Sequence, residues 1–338
     1  MREIWISKAG APDVLEVREA ATPEPKAGEL RIAVAAAGVN FADIMARMGL
    51  YPDAPPLPCV VGYEVSGTVE AVGAGVSEFA VGERVVAATR FGGYSSHVCV
   101  PTSHVVKLRD SVSFESAAAI PVNYLTAWYM LVVLGNIQAG DRVLVHAVAG
   151  GVGQAALQIC KWRGAEVFGT ASGGKHARLK ELGVDHCIDY RTQDFEAEVK
   201  RLTAGEGVHV AIDAVGGKSF GKSYRCLRDL GRLYMFGASS FATGKRRSII
   251  AALRGILAMP RFGAVSLMND NKGVHGFNLG HLWHRIDETS QHLARVIELV
   301  TEGTFTPQVD ATFSFDQAAE AHTYIQDRRN FGKVLLTP

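Results

Sequence analysis

Cysteine is sparse and scattered in this 338-residue chain: Cys59, Cys99, Cys160, Cys187 and Cys226, with no Cys-x-x-Cys pair. That spacing excludes a disulfide scaffold and fits a reducing compartment. Net charge is almost absent as well. The 35 Lys and Arg against 34 Asp and Glu leave a formal +1, so no basic footprint for nucleic acid is expected. Long apolar runs are missing too. The most apolar stretch outside a glycine-rich motif, residues 117–134, is interrupted by Pro121, Asn123, Thr126 and two tyrosines, too polar for an integral membrane segment. The opening Met1-Arg2-Glu3-Ile4-Trp5 lacks the apolar core and small-residue cleavage site of a secretory signal. These absences together predict a cytoplasmic enzyme or binding protein. Hydrophobic residues at 48% with charged residues at 20% argue against extensive disorder, and the length predicts two domains.

What is present changes character along the chain. The first third reads as β-rich: short alternating runs at 30–35, 65–72, 84–88 and 96–100 are separated by Gly and Pro turns. From about Tyr124, strands alternate with helical stretches, the pattern of a parallel sheet with crossover helices. Strands are predicted at 142–148, 166–170, 186–189, 208–213, 232–236 and 273–277, with helices at 153–163, 175–182, 194–202 and 219–230. The last part holds helices at 290–300 and 316–327 and a strand at 333–336. The fold class is therefore α/β, a β-rich part joined to a doubly wound parallel sheet.

The run Ala147-Val148-Ala149-Gly150-Gly151-Val152-Gly153 follows a continuous apolar strand and opens directly into a helix. In that context glycines carry a mechanism. Gly150 lets backbone approach a pyrophosphate, Gly153 lets helix and strand pack closely, and the N–H groups of Gly151 and Val152 at the helix start face negative charge. An NAD-preferring site places an acid at the end of the next strand, on the ribose hydroxyls. Here that region reads Thr170-Ala171-Ser172-Gly173-Gly174-Lys175, without an acid. Ser172 and Lys175 suit a 2′-phosphate, which favours NADPH; Lys175 as a solvated first-turn lysine is the alternative. Phe236-Gly237 and Phe277-Asn278 end predicted parallel strands, where open α/β sheets bind ligands.

With these motifs, the chain resembles the zinc-free quinone oxidoreductase branch of the medium-chain dehydrogenase/reductase superfamily, and within it the vesicle amine transport protein group. The resemblance rests on Gly38-Val39-Asn40-Phe41-Ala42-Asp43, Gly62-Tyr63-Glu64-Val65-Ser66-Gly67, the 147–153 run, Ile212-Asp213-Ala214-Val215-Gly216-Gly217 and Gly332-Lys333-Val334-Leu335-Leu336. It implies a GroES-like catalytic domain (residues 1–122 and 281–338) interrupted by a Rossmann NADPH-binding domain (residues 123–280), with the active site in the cleft between them. It also implies no metal, because Asn40, Tyr63 and Val122 stand where zinc-dependent relatives carry their ligands, and such side chains cannot form that site.

Further roles follow from the resemblance. Asn40 and Tyr51 are expected near the nicotinamide, orienting substrate or supplying hydrogen-bond donors. Asn123 and Thr126 are expected near its carboxamide, with helix capping an equal role for Asn123. Val215 is expected beside the cofactor, and Tyr190 near the adenosine or in ordinary packing. Lys333 is expected at a cofactor phosphate or on the surface, and Glu64 and Asp43 as structural acids. A homodimer is expected through the last Rossmann strand, around residues 274–277. Without zinc, reduction of a quinone or an α,β-unsaturated carbonyl by direct hydride transfer is the expected chemistry, since the charge formed spreads onto an oxygen held by donors. Residues 241–270 mix Lys245, Arg246 and Arg247 with Ile, Leu, Phe and Met. That segment reads as a flap, a membrane-surface contact or a packed helical insertion. The membrane-surface reading, with the resemblance to the vesicle group, supports a rival view of the chain, a vesicle-associated NADPH-binding protein with little catalysis.

Overall fold

The computed structural model describes residues 1–241, Gly244 and 249–338. The Lys245–Arg247 cluster singled out above lies outside the described residues. Two compact units divide the chain. One takes Met1–Leu125 and Leu279–Pro338, with Gly244, and the other takes most of residues 126–278.

The first unit is built on β pairing. Strands β1 (Arg2–Ile6) and β2 (Leu15–Glu19) form an antiparallel pair. The long strand β3 (Glu29–Val39) leads into α1 (Phe41–Arg47), whose first turn is closed by the Asp43 carboxylate accepting the Asn40 N–H at 2.8 Å. Strands β4 (Cys59–Val60), β5 (Glu64–Val72), β6 (Arg84–Ala88), β7 (His97–Pro101) and β8 (Val105–Lys107) follow. They have the short, alternating, turn-bounded character that the composition predicts. Two short helices, α2 (Phe114–Ala118) and α3 (Pro121–Trp128), end this stretch.

The second unit alternates strictly: β9 (Arg142–Val145), α4 (Gly151–Arg163), β10 (Glu166–Ala171), α5 (His176–Glu181), β11 (His186–Asp189), α6 (Phe195–Leu202), β12 (Val208–Asp213), α7 (Lys218–Arg225) and β13 (Leu227–Met235). Helices α8 (Ile249–Leu257) and α9 (Ala264–Asp270) precede the edge strand β14 (Gly273–Gly276). The six strands are all parallel, in the order β11-β10-β9-β12-β13-β14. This is the doubly wound Rossmann order, with its switch point between β9 and β12.

Among the boundaries that differ from the periodicity, two have a plain physical cause. The strand expected to run to residue 148 ends at Val145, because Ala147 takes a left-handed φ of 51° that no strand tolerates. Residues 227–230, expected to prolong a helix, instead open β13. Leu227 pairs with Val208 and packs with Leu144, Phe168 and Leu233 in the sheet core, so tertiary burial overrides the helical spacing.

The chain then returns to the first unit with α10 (Ile286–Thr301), β15 (Val309–Ser314), α11 (Ala318–Gln326) and β16 (Lys333–Thr337). Strand β16 pairs with β3 and completes a seven-stranded sheet. Among the described residues, no helix is long and apolar enough to cross a membrane.

Candidate functional site

In the second unit, most of the predicted cofactor residues follow the carboxyl ends of the parallel strands. Gly150 is the N-cap of α4, a thirteen-residue helix whose free N–H groups suit a phosphate. A Cβ on Gly153 would lie 2.3 Å from the Ala147 carbonyl oxygen and 2.6 Å from Val148 Cα, and one on Gly150 would lie 3.3 Å from that same oxygen. These are the gaps that a dinucleotide turn requires. Ala149 is buried, while Gly151 and Val152 are half-buried at the helix start.

At the end of β10, Ser172 and Lys175 are half-buried in a short turn in which the Ser172 carbonyl accepts the Lys175 N–H at 2.9 Å. Sequence reasoning missed an acid here. The Asp189 side chain, from the end of β11, lies against Gly173, and one of its oxygens accepts the Arg191 N–H at 3.0 Å. Thr170 is buried, and its hydroxyl is engaged by the Ala147 N–H at 3.2 Å and His146 Nδ1 at 3.1 Å. It holds the turn rather than offering a free hydroxyl. Val215 donates its N–H to Asp213 Oδ1 at 2.7 Å, and Phe236 and Gly237 follow β13 half-buried. Phe277 stacks on Tyr129 at 5.7 Å. Tyr190 is 37% exposed, which rules out ordinary core packing for it.

The first unit brings a different set together. Glu64 is fully buried, and one carboxylate oxygen is ion-paired with Lys333 Nζ and accepts Asn40 Nδ2 at 2.9 Å. Its other oxygen accepts the Val122 N–H at 2.7 Å. Lys333 also donates to Asn40 Oδ1 at 2.7 Å and is only 2% exposed. The surface position considered for Lys333 is thereby overturned. Its charge is spent inside this unit, because a buried ammonium requires a paired carboxylate. Asn40 likewise has both ends of its amide engaged, so it orders the chain around α1 rather than presenting spare donors. Asp43 accepts Gly62 N–H and Tyr94 OH, each at 3.1 Å, and burial pushes its carboxyl up to about 7.

Beside this cluster, Tyr51 meets Tyr63 edge-on at 6.5 Å, and Tyr63 packs on Phe91 at 5.2 Å. Burial, reinforced by the Asp43 charge, holds the Tyr63 phenol far above its ordinary range, so it stays protonated. Asn123 donates to the Ala119 carbonyl at 3.2 Å, capping the carboxyl end of α2, and Thr126 is buried. Among the described residues, no group of three His, Cys, Asp or Glu side chains is arranged to hold a metal. All five cysteines are free thiols, and burial raises each above its usual pKa.

Comparison with known proteins agrees with both halves. An alcohol dehydrogenase GroES-like domain matches residues 26–110, and a zinc-binding dehydrogenase domain matches residues 182–336. The human synaptic vesicle membrane protein VAT-1 homolog is 41% identical over 96% of this chain and 82% of its own length. The chain belongs to the quinone-oxidoreductase-like branch of the medium-chain dehydrogenase/reductase superfamily, alongside the VAT-1 homologs. Among solved members, Escherichia coli quinone oxidoreductase complexed with NADPH superposes with a TM-score of 0.89 at 30% identity, covering 100% of both chains. The CurK enoyl reductase reaches a TM-score of 0.85 at 30% identity, over 99% of this chain and 98% of its own. Such a chain carries the superfamily's oxidoreductase fold, a GroES-like domain with a Rossmann sheet.

Proposed function

We propose that the protein is an NADPH-dependent reductase of quinones or α,β-unsaturated carbonyls that works without zinc. The observation that carries this reading is the turn before α4, where backbone crowds the Cα positions of Gly150 and Gly153 and opens onto helix N–H groups at the sheet's switch point. Residues 123–280 would bind the dinucleotide. Gly150, Gly151, Val152 and Gly153 would hold the pyrophosphate, Ser172 and Lys175 the 2′-phosphate, and Val215, Phe236, Gly237 and Phe277 would line the remainder, with Tyr190 toward the adenosine. Asn123 and Thr126 would lie toward the nicotinamide. The relatives solved with NADPH support the cofactor assignment.

The reduced nicotinamide, when bound, supplies a hydride to a conjugated acceptor. The chain's own work is to hold the acceptor and to donate hydrogen bonds to the oxygen on which negative charge gathers. Tyr51 is the residue proposed for that donation, and Asn40 acts as a positioning residue. Zinc independence is supported by donor chemistry: Asn40 is an amide already paired to Glu64 and Lys333, Tyr63 is a protonated phenol, and Val122 has an alkyl side chain.

The test is a fluorescence titration with NADPH and NADH, followed by NADPH oxidation with an ortho-quinone and with an enone. NADPH is expected to bind more tightly. Lys175→Ala should weaken NADPH about tenfold, the scale of one charge-assisted hydrogen bond, and leave NADH unchanged. Tighter NADH binding would instead assign the site to Asp189. Stoichiometric zinc in the purified protein would overturn the metal-free chemistry.

A second reading is a vesicle-associated NADPH-binding protein with little turnover. Leu253, Ile256 and Leu257 on α8 and Val265 and Met268 on α9 are exposed, and a relative is named as a vesicle membrane protein. Binding to anionic vesicles together with no turnover on either acceptor would favour it. The homodimer remains a proposal supported by β14, a sheet edge; a monomer in light scattering would remove it.

A further inference from the structure

At the switch point of the parallel sheet, a buried chain of side-chain hydrogen bonds runs across the ends of three strands. His146 follows β9 and is 3% exposed, with Nδ1 at 3.1 Å from Thr170 Oγ1 and Nε2 at 2.9 Å from Ser223 Oγ. Ser223 and Ser219 each reach Asp213 Oδ2 at 2.7 Å. The other Asp213 oxygen accepts the Val215 and Gly216 N–H groups at 2.7 and 3.4 Å. At the opposite end, Thr170 Oγ1 accepts the Ala147 N–H at 3.2 Å.

These partners leave one arrangement of protons. A carboxylate only accepts, so Ser223 must give its hydroxyl hydrogen to Asp213. The Ser223 oxygen then accepts from His146, whose proton therefore sits on Nε2. Nδ1 is left as an acceptor for the Thr170 hydroxyl, which still receives the Ala147 N–H. Every donor points the same way, from the glycine turn toward Asp213. Phe195 closes the imidazole edge-on at 4.6 Å, and burial holds His146 below its usual pKa against the opposing pull of Asp213.

The groups tied at the two ends are backbone, and they belong to the cofactor loops. Ala147 is the left-handed residue that starts the glycine turn, Thr170 is the second-last residue of β10 before the turn at Ser172–Lys175, and Val215 and Gly216 form the loop after β12. We propose that His146, as the neutral Nε2–H tautomer, is a positioning residue for the dinucleotide, locking the loops after β9, β10 and β12 into one register through Thr170, Ser223 and Asp213. This rests on the NADPH reading above and adds to it a residue that does not itself touch the cofactor. A pre-set cradle spares the ligand the cost of ordering three loops, which appears as affinity.

The experiment measures NADPH dissociation constants by fluorescence for the wild type and for His146→Gln, His146→Leu, Thr170→Val and Ser223→Ala, with circular dichroism and melting temperature to confirm folding. Glutamine keeps the polarity, accepting from Thr170 through its carbonyl and donating to Ser223 through its amide. Leucine and valine break it. His146→Leu and Thr170→Val are expected to weaken NADPH about tenfold, Ser223→Ala about threefold, and His146→Gln less than threefold. If His146→Leu does not fold, Thr170→Val and Ser223→Ala carry the comparison. Wild-type affinity in folded Thr170→Val and Ser223→Ala would overturn the inference while leaving the cofactor reading intact. A loss in His146→Gln equal to that in His146→Leu would also overturn it, because imidazole packing rather than hydrogen-bond polarity would then be responsible. A wild type that binds neither NADPH nor NADH would overturn the cofactor reading and the inference together.

Discussion

Each unit of this protein buries a polar cluster, and the two are built on opposite plans. In the first unit, Glu64, Lys333 and Asn40 form a compact knot of full charges and an amide that pair with one another, with the second Glu64 oxygen taking the Val122 N–H. In the second, the chain from Thr170 through His146 and Ser223 to Asp213 has a single full charge, and both its ends terminate on backbone N–H groups of loops. A compact knot fixes the strands that carry it and offers little outward. An open chain transmits position from one loop to the next. Burial alone therefore does not distinguish a structural cluster from one that shapes a site; what the ends of the network touch does.

The largest effect should come from cutting the knot. Lys333→Met leaves the Glu64 carboxylate buried without its cation and should cost about 3–5 kcal/mol in urea unfolding. Folded variant protein should keep its NADPH affinity within about threefold. A large loss of affinity with little loss of stability would place Lys333 at the cofactor after all and break the contrast.

A smaller effect is expected where the second unit depends on an absent side chain. Gly153→Ala drives a methyl into the Ala147 carbonyl, a backbone atom that cannot rotate away. The cost should be about 1–3 kcal/mol of stability, with weaker NADPH binding. Gly174→Ala, in the neighbouring loop where nothing lies within 4 Å of the added carbon, is the control. It should change melting temperature and affinity hardly at all.

The smallest effect is in pH dependence, where the buried histidines and the buried Asp43 act with opposite signs. His322 in the first unit and His146 in the second are both held below the usual histidine pKa by burial, His322 further by the nearby Arg47 charge. Below about pH 6.5 the unfolded chain takes up protons that these native histidines refuse, so stability falls as pH falls. Each contributes up to about 1.4 kcal/mol per pH unit. Asp43, raised to about 7, acts in the opposite sense. The native protein keeps that proton after the unfolded chain has released it, so stability falls as pH rises from about 4 toward 7. Asp43 thus offsets about one histidine's share of this slope between pH 5 and 6.5, while His104, His209 and His292, which burial also lowers, act in the same sense as His146 and His322. His146→Gln should flatten the acid limb of urea unfolding by about one proton. His322→Gln should flatten it by about the same amount, because both buried histidines act with the same sign on one unfolding equilibrium; an unchanged slope in either variant would refute the assignment.

The strand, glycine turn and helix proposed for the cofactor were legible in the sequence because their signals are local. A strand, a glycine turn and a helix lie within about twenty residues, and Gly150 and Gly153 are needed for reasons of backbone space alone. The networks were not legible. His146 meets Thr170 and Ser223 across 24 and 77 positions, and Asn40 meets Lys333 across 293. Lys333 misled because lysine is rarely buried, and only the carboxylate at Glu64 makes its burial tolerable. Asp189 was missed because the search for an acid followed the end of β10, while the carboxylate arrives from the end of β11. The helical reading of residues 227–230 failed because Leu227 is buried in the sheet core while Leu230, three residues on, is exposed with a left-handed φ of 64° that ends a helix.

The five cysteines have a consequence for chemical durability. Soft electrophiles are attacked by thiolates, not by thiols, and burial in this fold holds all five sulfurs above their ordinary pKa, Cys226 at about 12. Near neutral pH the chain therefore presents little thiolate to an arylating or alkylating compound, and its cysteines are slow targets for such reagents.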